Sequence, residues 1–406
     1  MSRILITNIG ELFTGDIAAP RSDARTLLIE DGRIAAIGDP APAACDATID
    51  AAGSAVMPGI VDGHVHPMLG EWTPTQDASG WIRNYLHGGT TSMVSAGELH
   101  VPGIDYGNLM PELVVSLALV QAQTTGRVRW SGVKLHAGTV LLVPGISEAQ
   151  FDALARAGTR FAKFIFYPWG GAQDEARRYV QQCRARNIRT KIHTGGVSRS
   201  GASVVCGFEI LNWLQPDIAA HIAGGPIPMS DTDLDAVIDR TEFWLELCSS
   251  GNYGSTVRAV RRLIARNGLG RLALGTDTPG GTGVIPRGMF RNMLFLASVC
   301  GVAPEIAVAI ATGNTAKAHG LDVGLIAPGK PADIVVCGRV EGSAGTTVTD
   351  AIAHGDLPGI SFVLVDGKIV VDGRSEQTPP AKTPARLSFS RAAGGLGSVA
   401  STPGKA

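Results

Sequence analysis

Pro58-Gly59-Ile60-Val61-Asp62-Gly63-His64-Val65-His66 sets two histidines one residue apart, after a short apolar run and ahead of Pro67. Alternate residues of a strand point to the same face, so His64 and His66 can converge on one point just past the strand's end. Alone, an H-x-H pair is a weak signal, because short histidine pairs arise by chance. Its meaning depends on what the rest of the chain supplies.

Working outward, apolar runs that read as buried strands end at His66, Gly97, His136, Phe166, His193, His221, Cys248 and Asp277. Helix-like segments lie between them, such as Asp174 to Asn187 and Ser255 to Asn267, and Ser147 with Gln150 fits a capping box ahead of Phe151. Eight strands alternating with helices over about 260 residues predict an α/β architecture, a (β/α)8 TIM barrel over residues 57–320. Such barrels keep their chemistry at the C-terminal ends of the strands.

The flanks read differently. Residues 1–56 carry short strand signals, including Leu27-Leu28-Ile29 and Ile34 to Ile37 joined by the turn Glu30-Asp31-Gly32. The β pattern returns in residues 321–374, and the two ends together predict a smaller β-sandwich domain. Residues 375–406, rich in Pro, Ala, Ser and Gly, read as a mobile tail that wraps a neighbouring subunit.

Composition narrows the function. At 406 residues, 45% hydrophobic and 17% charged, the chain suits a well-packed globular enzyme. A formal net charge of -1 gives no electrostatic case for nucleic acid or an anionic membrane. Met1-Ser2-Arg3 runs directly into a strand pattern, so no signal peptide is expected. The six cysteines are widely spaced without a C-x-x-C pair, as in reduced thiols of a cytoplasmic protein.

The metal-competent residues at predicted strand ends are His64, His66, Lys163, His193, His221 and Asp277. Four histidines and one aspartate serve two divalent ions incompletely, because two close ions need a shared ligand. Lys163 lies in the apolar run Phe161-Ala162-Lys163-Phe164-Ile165-Phe166. Its plain reading is a lysine snorkelling to the barrel mouth. If burial lowers its pKa, the neutral amine can add carbon dioxide, and the carbamate offers one oxygen to each ion. His193 and His221 taken singly read as satisfied core histidines, and Asp277 ahead of Pro279 as a turn residue. As a set around one rim, ligation is the better reading. Lys134 and His136 alternate and both can face the barrel interior, with His136 a substrate contact or a packing residue. His87, His100, His319 and His354 read as structural or exposed.

These residues together resemble the amidohydrolase superfamily of metal-dependent hydrolases. The likeness begins at Gly32-Arg33-Ile34-Ala35-Ala36-Ile37-Gly38 and passes through Pro58 to His66, His193-Thr194-Gly195-Gly196 and His221-Ile222. It continues through Gly281 to Pro286 and Thr312 to Ala316, then Gly324 to Asp333 and Thr378 to Lys382. The resemblance implies two divalent metal ions per subunit, with zinc expected and iron or manganese fitting the same ligands. His64, His66 and Asp277 would hold one ion, His193 and His221 the other. One branch of the superfamily bridges its metals with a fourth-strand glutamate and many members with a carboxylated lysine. Here the fourth strand offers only Lys163.

The implied reaction is hydrolysis of a cyclic amide or related C–N bond by water that the metals activate. Asp277 and Lys163 are the catalytic residues, with Asp277 moving the proton. Tyr167 and Trp169 are candidates to pack a planar ring, with ordinary loop packing the alternative. Arg199 is a candidate for a substrate carboxylate, against a solvated surface arginine. Ester, lactone or acyclic N-acyl amide hydrolysis on the same centre is the second reading. A mononuclear deaminase would add a histidine–glutamate pair not found suitably placed, and a non-catalytic scaffold would show substituted ligands. The expected partners are a small-molecule substrate and further copies of the chain, a homotetramer by kinship.

Overall fold

A computed structural model describes residues 2–38, 44–67, 80–97, 104–127, 132–165, 169, 172–198, 201, 203–225 and 227–390. Eight parallel strands form the barrel, in chain order Ile60–Val65, Thr90–Ser95, a divided third strand, Phe161–Phe164, Arg189–His193, Ile218–Ala220, Trp244–Cys248 and Leu272–Gly275. Strands covered on both faces favour unbroken apolar runs over alternation, and nearly every residue in them is buried. The third strand is split: Lys134–His136 pairs with the second strand and Val140–Leu141 with the fourth. Gly138 makes the break at φ +89, where a Cβ would lie 2.5 Å from that of Ala122 on the covering helix. The barrel closes between its first and eighth strands, where Asp277 N donates to His64 O at 2.8 Å and His66 N to Thr278 O at 2.7 Å. Val65 and Thr278 form a parallel bridge there.

The helices meet the sequence expectation closely. Glu148–Arg156 opens with the Ser147–Gln150 capping box, and Gln173–Ala185 and Tyr253–Ala265 fall where periodicity placed them. Past the last barrel strand, the segment Thr312 to Ala316 runs through a π-helical turn, Ile310–Asn314. There the Thr315 hydroxyl accepts from Leu274 N at 3.0 Å, tying the eighth strand to this helix.

Two sheets make the sandwich. One has five strands in the order Arg386–Phe389, Ala47–Asp50, Arg3–Thr7, Leu27–Glu30 and Arg33–Ile37. The other has six, from Lys368–Val371 through Gly359–Val365, Ile334–Gly338, Ala55–Pro58 and Glu11–Phe13 to Arg21–Ser22. Ile6, Ile29, Ile49, Val56, Val336 and Leu364 fill the space between the sheets. The N-terminal part therefore reaches Pro58, two residues past the expected boundary.

One expectation is corrected. Residues 375–390 are not a tail: Arg386–Phe389 pairs antiparallel with Ala47–Asp50 as an edge strand. Ser375, Ala381 and Ala385 are buried. Small residues and prolines suit a segment crossing a packed surface, and that composition imitates disorder when read alone. Residues 391–406 lie outside the described residues.

Lys134 is also corrected. Its ammonium lies 2.7 Å from Asp333 Oδ2 and 2.6 Å from Asp366 Oδ1, both in the sandwich domain. It locks the two domains together instead of serving the barrel interior. Breaking a buried pair from one side strands the remaining charge. Lys134→Met should therefore cost about 3 kcal/mol in urea unfolding, and adding Asp333→Leu should return part of that loss.

Candidate metal centre

The site is assembled where strands one, four, five, six and eight end. His64 is the penultimate residue of the first strand and His66 follows it, Lys163 lies in the fourth, His193 ends the fifth, and His221 and Asp277 sit just beyond the sixth and eighth. Two of these adopt left-handed backbone, His221 at φ +40 and Asp277 at φ +64. Such conformations are costly for side chains with a Cβ and collect at functional sites. Backbone bonds hold both: Gly224 N donates to His221 O at 2.6 Å, and Gly281 N to Asp277 O at 2.7 Å.

The side chains meet as expected from sequence. Asp277 Oδ1 lies 3.0 Å from His66 Nε2 and 3.7 Å from His64 Nε2. Potential ligand atoms of His64, His66 and Asp277 fall within 4.8 Å of one another. The His221 ring centroid is 5.3 Å from that of His64 and 4.6 Å from that of His193. All six predicted residues except the half-buried His66 are buried. Burial pushes His64 down to about 3 and His193 to about 4, with the nearby Lys163 charge adding to both. Burial, then His193 and Lys163, holds His221 well below the usual range.

Hydrogen bonds assign the ring nitrogens. His64 Nδ1 lies 2.6 Å from Glu246 Oε1, and an ionised carboxylate only accepts, so Nδ1 carries the proton and Nε2 is free to ligate. His66 Nδ1 faces Gly97 O at 3.4 Å, and His193 Nε2 donates to Gly196 O at 2.9 Å, which leaves Nδ1 as its ligating atom. His221 Nδ1 is buried without a hydrogen-bond partner. Neutral imidazole lone pairs converging on a carboxylate lack a positive charge at their centre. The donor set therefore fits divalent metal.

Lys163 shares this pocket at 1% exposure. Burial, reinforced by the positive Lys191, lowers its ammonium to about 8, against the pull of Glu246 and Asp277. For Asp277, burial would raise the carboxyl, but the His66 hydrogen bond and the surrounding imidazoles outweigh it and hold the group well below the carboxylate range.

Sequence reading missed Glu246 and Lys191. Glu246 is fully buried in the seventh strand and Lys191 is 1% exposed in the fifth, and they pair at 2.7 Å. Glu246 showed the same sign that marked Lys163, a charge inside an apolar strand, whereas Lys191 lies in the polar stretch Arg189-Thr190-Lys191 and carried no such mark. Asp62 was likewise passed over. It accepts from Thr276 N at 2.9 Å and Thr276 Oγ1 at 2.5 Å, bracing the first strand against the loop that carries Asp277. Burial pushes its carboxyl up to about 7, against those bonds.

His136 stands half-buried at the end of the third strand. Trp169 packs at 5.6 Å from Phe164 and 5.4 Å from Tyr179, within the helix-facing layer of the core. Tyr167, Arg199 and His100 lie outside the described residues. His319 is buried against Phe161 at 5.6 Å, His87 accepts from Glu376 N at 3.1 Å, and His354 is exposed.

A model of the amidohydrolase family matches residues 55–370, and the chain belongs to that family of hydrolases, in which divalent metal ions are general. Among individual proteins, it is 39% identical to the enamidase of Eubacterium barkeri over 390 residues, 95% of this chain and 100% of that protein. The crystal structure of enamidase superposes with a TM-score of 0.85 at 38% identity, again covering 95% of this chain and 100% of that one. Imidazolonepropionase of Salinispora tropica is 26% identical over 83% of this chain and 92% of its own length. Adenine deaminase of Ruegeria sp. (strain TM1040) is 27% identical over 87% of this chain, which spans 55% of that protein. Among the described residues, no helix is long and apolar enough to cross a membrane.

Two outcomes are expected. A Cβ on Gly281 would lie 2.0 Å from Asp277 Oδ2, so Gly281→Ala should displace the carboxylate and lower kcat/KM by roughly 100-fold, with the fold intact by circular dichroism. In metal-free protein, His64, His193 and His221 stay neutral when folded but titrate near about 6.5 when unfolded. The unfolded chain takes up protons first, so stability present above about pH 6.5 is lost as pH falls toward 4 and 3. Urea midpoints from about pH 7.5 down to 5 should decline steadily; a flat profile would contradict buried neutral imidazoles.

Proposed function

We propose that the chain is a metal-dependent amidohydrolase that opens a cyclic amide or a related C–N bond. The observation that carries this reading is one carboxylate oxygen, Asp277 Oδ1, set between His66 and His64, with His193 and His221 adjoining. His64, His66 and Asp277 would hold one divalent ion and His193 with His221 a second. Lys163, as its carbamate, would be shared by both. When bound, the ions supply an acidified water and polarise a carbonyl oxygen.

The chain's own residues do the rest. The neutral Lys163 amine forms an N–C bond to carbon dioxide and releases a proton to solvent. Asp277, ionised throughout the physiological range, accepts the proton of the attacking water and delivers it to the departing nitrogen. A cavity of about 530 Å³ is lined by Cys248, Gly281 and residues of the helices that follow the seventh and eighth barrel strands. Tyr253 and Phe295 form an aromatic wall, 5.9 Å apart, and Arg291 is the cavity's charged lining residue. His136, Tyr167 and Arg199 remain candidate substrate contacts, whereas Trp169 is taken up by packing against Phe164 and Tyr179. We extend the reading to zinc as the metal and to a cytoplasmic homo-oligomer acting on small molecules, without nucleic-acid or membrane partners.

Metal analysis and a turnover screen test this reading together. Purified protein should carry about two ions per chain, reduced by His193→Asn, and no ion after gentle purification would sink it. Lys163→Ala should lose at least the roughly 100-fold that even outer partners of metal ligands command. Bicarbonate with a short carboxylic acid should restore part of that loss, whereas unchanged activity would remove the carbamate. Lactams, cyclic imides, hydantoins and N-acyl amino acids should be screened beside lactones, whose preferential turnover would shift the assignment to esters.

A further inference from the structure

Beneath the predicted ligands lies an ion pair that the hydrolytic steps do not use. Glu246 Oε1 accepts a hydrogen bond from His64 Nδ1 at 2.6 Å, and its Oε2 accepts one from Lys191 Nζ at 2.7 Å. Lys191 Nζ also donates to Gly63 O at 2.6 Å, the carbonyl just before His64. His64 is therefore gripped twice, through its ring by Glu246 and through its backbone by the lysine that grips Glu246. All three side chains are buried.

His193 and His221 have weaker anchors. His193 faces the Gly196 carbonyl at 2.9 Å, and His221 Nδ1 has no partner. A full negative charge on the far side of a ring polarises it and strengthens the donor nitrogen opposite, more than a neutral carbonyl does. His64, Glu246 and Cys248 are also close enough to suggest a metal site of their own. The Lys191 ammonium beside Glu246, with His64 Nδ1 already engaged, argues against a cation there.

We propose that Glu246, clamped by Lys191, is a positioning residue that makes His64 a stronger imidazole donor than His193 or His221. The ion held by His64, His66 and Asp277 is then the tighter of two and the last to leave. This inference rests on the binuclear reading above.

The test is stepwise release of zinc from full-length, zinc-loaded protein into a chelator, followed as zinc per chain. Wild type should release its ions in two phases, and the ion missing from His193→Asn should be the fast one. Glu246→Gln should weaken the slow ion by about 10- to 100-fold while leaving the fast ion unchanged. Lys191→Met/Glu246→Leu removes both charges without stranding either, and should show the same selective loss. That double variant keeps the test open if Glu246→Gln does not fold. Wild-type release kinetics in a folded variant would overturn the role of Glu246. Loss of the slow ion in His193→Asn would overturn the order, whatever the variants do. Absence of zinc from wild type would instead defeat the binuclear reading.

Discussion

Closure of the barrel between its first and eighth strands is the constraint on which the site depends. The bond from Asp277 N to His64 O joins the backbones of two predicted ligands, and the bond from His66 N to Thr278 O adds a third. The hydrogen bonds that complete the cylinder thereby also set the distance between donors. Asp62 reinforces this seam through Thr276, from a position buried between the strands. A shift in closure would move His64, His66 and Asp277 apart, because they share one backbone ladder.

The interior of the barrel carries an unusual load of charge. Lys163, Lys191, Glu246 and Asp277 are all buried, and removing four charges from water is expensive even when they pair. An apolar filling of equal volume would serve stability as well or better. Two of the four form the Lys191–Glu246 pair beneath His64. The other two, Lys163 and Asp277, face the imidazole cluster, where their charges act on the three depressed histidines. Polar cost is concentrated where a catalytic centre can use it. The sandwich, by contrast, is filled by Ile, Val and Leu.

The sandwich contributes through its attachment. Lys134 spans from the third barrel strand to Asp333 and Asp366, and Gly59 N donates to Asp333 O at 2.8 Å just before the first barrel strand. The chain thus enters the strand that carries His64 from a braced point. Residues up to 390 extend this support by supplying an edge strand.

How much of this was legible in the chain follows from the range of each interaction. Unbroken apolar runs, helix periodicity and the Ser147–Gln150 box are local, so strand and helix positions could be read from neighbours a few residues apart. The six candidate ligands were marked locally too, by H-x-H spacing and by polar residues in or ending apolar runs. The partners of those donors were not legible. That Lys134 leaves the interior for Asp333, that Glu246 holds His64, and that residues 386–389 pair with 47–50 are contacts between segments far apart in sequence. Amino-acid order alone determined which side chains line the barrel mouth, through strand period and burial. Only the closed tertiary structure decided which charges neutralise one another there, because Coulomb energy and hydrogen bonding depend on distances that chain separation does not encode.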